Sequence, residues 1–587
     1  MINKTIVRRT CYGIAAALAL TACSDYSDYN ETPVDALPSS SLTLWENISQ
    51  NSQLSDFAAL LRQAGYIDEL NSPRALTVWA PVNGSFSMAD YQNMASADLL
   101  QQFVKSHVAE YTHAATGLVD ERVHTLNRKS FVFAGNGSYT YDNIAISQAN
   151  LPSSNGLMHL LGGAAQFYPN LYEYLSTAEG IDSLRSQFMR YEQTYLDQTA
   201  SVKGPMVNGA QTYIDSVMVT MNSLTNQLNA LMENEDSSYT FIMPTDKAFM
   251  DMYNRVKPCY RFLGTTVVPD VENYASASAT NTKSITVDAA YMSDSLTRRA
   301  IVRNLIYNNN DIYNRWIVDK GLYTDTIRST TRNKFSNPHD ILTKYAVGEP
   351  VEMSNGYARL VDSLAFFPWE SFCHEIVVDP RQNLVGLFPN SAKADRQQSL
   401  PDSIAERIFG PESNVTNYRY MWISPGGDRA KPDFFISLPN VMSTTYNFYV
   451  VFLPTAWRQV ANDPRPNWLN FQLSYCNEKG AVATYNFTKA YADSLRTGGE
   501  LPNVPASVSA TTAFTNDPEK ADTVFIGQFT FPVGYNGLGS GYAPTIRVTS
   551  PISVFNSTQL ATYTRDVRIA AILLRPVELD EYEAKNK

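Results

Sequence analysis

Two short boxes, an apolar one and later an Asn-Gly one, occur twice in this chain, and that recurrence constrains its fold more than any other feature. The first copy reads LTVWAPVNGSF at Leu76–Phe86 and NGLMHLL at Asn155–Leu161. The second reads YTFIMPTDKAF at Tyr239–Phe249 and NGYARLV at Asn355–Val361. In the first box Leu76, Val78 and Ala80 alternate with Thr77 and Trp79, a strand pattern that Pro81 ends. Leu54, Phe57, Leu61 and Ala64 precede it at helical spacing, and Leu99, Leu100, Phe103, Val104 and His107 share one helical face after it. Short β runs follow at 131–133, 139–141 and 144–146. The second copy opens at Leu171–Leu175 and 180–188, with its middle helix at 298–310. An α+β unit is expected over 42–168 and a diverged one over 169–378. The second carries insertions at 189–238 and 258–296. In the first insertion Ile214, Val217, Met221, Leu224, Leu228 and Leu231 form a helical stripe.

This order of segments resembles a fasciclin-like domain. The resemblance rests on Leu76–Phe86, the histidine motif FVKSHV at Phe103–Val108, and Asn155–Leu161, in that order. It implies a compact β-sandwich or wedge with helices packed around it, in which His107 and His159 are structural. Leu305 and Arg359 stand where the second copy would carry those histidines.

From Asp379 the character changes. Residues 434–453, 467–475, 522–532, 544–552 and 565–578 are β runs bounded by Pro, Gly or Asn, without long helices between them. An all-β sandwich, a jelly roll, is expected over 379–587. Its RIAAILLRP stretch is nearly continuous in apolar character, as a strand buried on both faces would be. This third resembles carbohydrate-binding sandwich modules at the level of architecture alone. Trp457 and Trp468 flank the loop RQVANDPRPN, and Tyr535, Asn536 and Tyr542 lie in GYNGLGSGY, so these five are the candidate ligand-binding residues.

The amino terminus has a basic start (Lys4, Arg8, Arg9), an apolar stretch IAAALAL and then LTAC, the pattern of a secretory signal over 1–22. LTAC resembles a bacterial lipobox, which implies lipidation at Cys23 and anchoring in a membrane. The tether over 23–41 holds Asp25, Asp28, Glu31 and Asp35 with Pro33 and Pro38, and resembles the surface-export signal of Bacteroidota lipoproteins. Outer-membrane anchoring with cell-surface exposure is the expectation. Cys259, Cys373 and Cys476 are odd in number and widely spaced, so a disulfide scaffold is excluded.

The first 22 residues carry three cations and no acid, so their removal takes the net charge from −11 to −14. An acidic body without a basic stripe excludes nucleic acid as the expected partner. No zinc-binding, P-loop, HExxH or EF-hand spacing occurs, so no metal, cofactor or catalytic residue is assigned. The expectation is a non-catalytic surface lipoprotein that binds an envelope protein, as an accessory of an outer-membrane nutrient-uptake complex. The alternatives are a lipoprotein that binds polysaccharide through its sandwich, and a cell-adhesion protein.

Overall fold

The computed structural model describes residues 40–586 apart from 197, 200, 216–217, 275–281, 316, 318–325, 389–391, 400–418, 455–464, 498–513 and 538–541. The expected signal segment, Cys23 and nearly all of the tether therefore lie outside the described residues. The chain divides into two compact units, Met1–Asn170 and Leu171–Lys587. Among the described residues no helix is long and apolar enough to cross a membrane.

The first unit is built on a seven-stranded sheet. Its strand Leu76–Pro81 runs parallel to Gly156–Leu161 and antiparallel to Val108–Glu110. The alternation in the sequence understates the burial here, because all six residues of Leu76–Pro81 are buried. Leu76, Val78 and Ala80 join the helical side chains Phe57, Leu61 and Phe103 on one face. Trp79 meets Phe133 and Tyr141 on the other. Thr77 is accommodated between them by its hydroxyl, which donates to the Tyr111 carbonyl (2.8 Å) and accepts from the His113 amide (3.0 Å).

The second unit repeats this core. Tyr239–Pro244 lies parallel to Gly356–Val361 and antiparallel to Ile306–Asn308. The registers match residue for residue: Leu76 faces Gly156 in one core and Tyr239 faces Gly356 in the other. The asparagine before each glycine explains the Asn-Gly box. Asn155 accepts from the Leu44 amide (2.9 Å) and donates to the Leu70 and Ser72 carbonyls (2.9 and 2.7 Å). Asn355 accepts from the Leu171 amide (2.9 Å) and donates to the Met232 and Asn234 carbonyls (2.7 and 3.2 Å). Each carboxamide thus ties the opening helix and the segment before the first box to the start of the last strand. Asn355→Ala is expected to lower the stability of the second unit by about 2–3 kcal/mol, because it leaves buried backbone groups unpaired. A denaturant midpoint unchanged from the parent chain would contradict that role.

The helical stripe expected in 189–238 is not a helix. Val202–Val207 and Ala210–Asp215 form a hairpin, and Met218–Asn222 pairs with Glu192–Leu196. Asn208 and Gly209 both have positive φ (51° and 78°), the two-residue turn that Asn-Gly favours. Ile214 and Met221 therefore fall on strands, and Val217 lies outside the described residues. Within the stripe Ser223–Gln227 is helical; Leu224 and Leu228 are buried, whereas Leu231 is half exposed. The β-branched and aromatic content of the stretch outweighs its helical periodicity.

Two six-stranded antiparallel sheets complete the second unit. One is ordered Ala392–Ser399, Arg419–Pro425, Val567–Pro576, Thr445–Phe452, Asp522–Thr530; Ile376–Val378 also pairs with Val567–Pro576. The other is ordered Leu384–Leu387, Asp433–Ser437, Thr545–Thr549, Trp468–Cys476, Val482–Asn486; Phe514–Thr515 also pairs with Trp468–Cys476. Most buried side chains of both sheets join those of the repeated core in one continuous cluster, while Tyr420, Val451, Leu453, Ala570 and Ala571 form a smaller one. Sheet pairing with the later strands begins at Ile376, inside the segment expected to end at 378. Val567–Pro576 lies centrally and buries both faces of its first six residues, as its unbroken apolar run requires.

Candidate functional site

His107 and His159, the two motif histidines of the first unit, are fully buried. His107 sits at the end of the short Val104–His107 turn, where its Nδ1 donates to the Phe103 carbonyl (2.8 Å) and its Nε2 accepts from the Ala165 amide (3.0 Å). His159 lies on Gly156–Leu161; its Nε2 donates to the His113 carbonyl (2.9 Å) and its Nδ1 accepts from the Asn150 amide (3.3 Å). These partners assign opposite neutral tautomers to the two rings. His159 stacks on Trp79 with centroids 5.7 Å apart, and His107 packs against Phe57 and Phe103. Burial pushes both imidazoles down to about 4. With every ring nitrogen engaged by backbone, the rings brace the fold as neutral struts. Register places Leu305 and Arg359 at the equivalent positions of the second core, where Arg359 Nη1 donates to the Leu342 carbonyl (3.1 Å).

The aromatic candidates of the carboxyl-terminal third do not assemble into one platform. Trp457 lies outside the described residues. Trp468 is half-buried, with its ring stacked on Tyr563 at 5.0 Å. Tyr535 is half-buried and exchanges backbone hydrogen bonds with Val441 (2.8 Å each way). Asn536 beside it is half-buried, and Tyr542 is 39% exposed.

A different set of residues is brought together on the exposed face of the second sheet. Burial alternates along Asp433–Ser437, Thr545–Thr549 and Trp468–Gln472, so every other side chain points outward. Register then aligns Phe435, Arg547, Gln472 and Asn486 in one row across four strands. Asp433, Thr549 and Asn470 form the row beside it. Between the rows opens a cleft of about 180 Å³, lined chiefly by Asn470, Gln472, Asn486, Arg547 and Thr549, with Lys489 at its margin.

Arg547 is the most tightly held of these groups. Its Nε and Nη2 donate to the two carboxylate oxygens of Asp433 (2.9 and 2.7 Å). Its guanidinium lies over the rings of Phe388 (4.8 Å) and Phe435 (5.4 Å). The hydrogen bond to Asp433 raises its already high pKa. This clamp leaves Nη1 as the donor directed away from the ion pair. Lys489 pairs with Asp493 at 2.5 Å. The Asn470 and Gln472 carboxamides have no hydrogen-bond partner among the described residues. Such a surface offers paired donors and acceptors to a polar, uncharged ligand. Sequence reasoning passed over it because each member is an ordinary outward residue of an alternating strand, and only strand register collects them.

The Fasciclin domain family model matches residues 52–163, so the first unit carries a Fasciclin domain. Among solved structures, the chain is similar to a FAS1 domain pair from the insect cell adhesion molecule Fasciclin I: 12% identity over 55% of this chain and 99% of that one, TM-score 0.20. It is also similar to a Paenibacillus xanthan lyase (7% identity, 38% and 16% covered, TM-score 0.19). A third likeness is to the CBM22-1–CBM22-2 tandem domain of Paenibacillus barcinonensis Xyn10C (11% identity, 37% and 53% covered, TM-score 0.18). With TM-scores this low, the three likenesses add nothing to the domain match. No curated protein matches the chain.

Proposed function

We propose that this chain is a non-catalytic, lipid-anchored surface protein of the outer membrane that captures saccharide on the exposed face of a carboxyl-terminal jelly roll. In this reading Cys23 carries the lipid and the second core is a diverged second fasciclin-like unit. The repeated register and the paired roles of Asn155 and Asn355 support that second unit. The interleaved orders 419–425, 567–576, 445–452, 522–530 and 433–437, 545–549, 468–476, 482–486 support the jelly roll. The observation that carries the function is the cleft with its two unengaged carboxamides beside a clamped arginine. Asn470→Ala with Gln472→Ala is expected to weaken binding of the lipid-free chain to its glycan by about tenfold, since each lost hydrogen bond contributes about 0.5–1.5 kcal/mol. The thermal midpoint should stay unchanged. Affinity electrophoresis of parent and double variant checks this, and equal retardation of both would refute the site.

A second reading, docking to an envelope protein of a nutrient-uptake complex, is favoured by a separate feature. On the other sheet, register aligns Val377, Leu573, Tyr449 and Phe525 in one row, with exposed side chains at its two ends and the Tyr449 hydroxyl donating to Asp580 (2.7 Å). Val377 and Phe525 are 52% and 48% exposed. Phe525→Glu is expected to abolish co-purification with such a partner in mild detergent while glycan binding persists. Retained co-purification would remove this row from the interface. Adhesion to other cells is the remaining use of such a protein, and it would draw on the same exposed rows.

A further inference from the structure

We infer that the ligand of the cleft is a neutral polysaccharide lying across the strands and recognised through its hydroxyl groups, not an acidic polymer. This rests on the saccharide reading above and narrows it by chemical class. Charge accounting comes first. Two cations border the cleft, and each is already paired within the protein: Arg547 with Asp433, and Lys489 with Asp493. A carboxylate or sulfate on the ligand would have to compete with those acids. The remaining polar lining groups are the Asn470, Gln472 and Asn486 carboxamides and the Thr488 and Thr549 hydroxyls; of these, Asn486 Oδ1 already accepts from the Lys489 amide (2.9 Å) and Thr488 Oγ1 from the Phe471 amide (3.1 Å). A carboxamide both donates and accepts, which matches a sugar hydroxyl that does the same. The chain as a whole is acidic, at −11, so its field repels a polyanion on approach.

Geometry supplies the rest. Phe435 in the row and Phe388 beside it each present a face to the Arg547 guanidinium, so contact with the ligand is made by polar edges more than by ring stacking. The cleft, about 180 Å³, is smaller than the roughly 300–1,000 Å³ of pockets that engulf a small molecule. At about 4.8 Å per strand the part of the row that lines the cleft, Arg547, Gln472 and Asn486, extends about 10 Å, long enough for a short oligosaccharide. An open shelf of that length suits successive units of a chain better than one enclosed ring.

The test is isothermal titration of the lipid-free full chain with neutral glucans, mannans and xylans, and with polygalacturonate, alginate and a sulfated glycan, at low and high salt. The expected result is binding of at least one neutral polymer, with affinity changing by less than about twofold across the salt series because no net ion pair forms. Asn470→Ala and Gln472→Ala together should weaken that binding by about tenfold. Binding confined to the acidic polymers and weakening steeply with salt would overturn the inference while leaving saccharide capture standing. Neutral binding indifferent to the double substitution would also overturn it, by placing the contact elsewhere. Failure of every polymer in both classes would remove the saccharide reading itself.

Discussion

Gly356→Ala is expected to destabilise the second unit by about 4 kcal/mol or more, among the largest effects of any single substitution. A Cβ at this position would lie 1.9 Å from the Tyr239 carbonyl oxygen and 2.8 Å from that residue's own nitrogen and carbonyl carbon. Those atoms belong to the neighbouring parallel strand and cannot swing aside as a flexible side chain would. Relief requires opening the ladder between Tyr239–Pro244 and Gly356–Val361, which lies within the unit's core. Gly156→Ala should do the same in the first unit, where the added carbon would meet the Leu76 carbonyl oxygen at 2.0 Å. Gly180 separates the contact from the backbone conformation. It has φ +74° and nothing within 4 Å, so Gly180→Ala should cost only about 1–2 kcal/mol. Denaturant unfolding of the three variants decides the matter. If Gly356→Ala proves no worse than Gly180→Ala, close strand approach is not what the Asn-Gly box preserves.

Acid should unfold the first unit before the carboxylates of ordinary surface positions titrate fully. His107 and His159 are held near 4 in the folded chain, against an ordinary value of 6.5. The folded state therefore binds fewer protons than the unfolded state between those pH values. Stability from each ring is complete above about 6.5 and is lost as the pH falls toward 4. The shift corresponds to about 3 kcal/mol per histidine, or about 6 kcal/mol for the pair by pH 4. Hydrogen exchange of the strands Leu76–Pro81 and Gly156–Leu161 should accelerate steeply below pH 6, while Tyr239–Pro244, whose core has Leu305 and Arg359 at these positions, lacks this contribution. Parallel acid profiles in the two cores would mean that the histidines do not govern the transition. Mildly acidic surroundings would then not distinguish the Fasciclin domain from its neighbour.

Local chemistry was legible in the residues. The alternation of Leu76–Ala80 and the proline stop identify a strand and its end without any tertiary knowledge. The Val567–Pro576 run declares a doubly buried strand for the same reason. Where two local signals competed, periodicity misled. The apolar spacing through 214–231 reads as a helix, yet Asn208-Gly209 and the β-rich flanks make hairpin pairing the better partner for that backbone.

The sequence by itself determined that an apolar strand box and an Asn-Gly box each occur twice and are followed by a β-rich region. That much follows from side-chain size, periodicity and backbone freedom, which are properties of neighbouring residues. Only the tertiary structure decided what the motifs do together. It paired strands separated by about a hundred residues, spent both histidines on backbone hydrogen bonds, and gathered Asp433, Asn470, Gln472 and Arg547 from three strands into one face. Cross-strand register is set by the summed burial of whole sheets, and no single segment carries enough of that energy to reveal it.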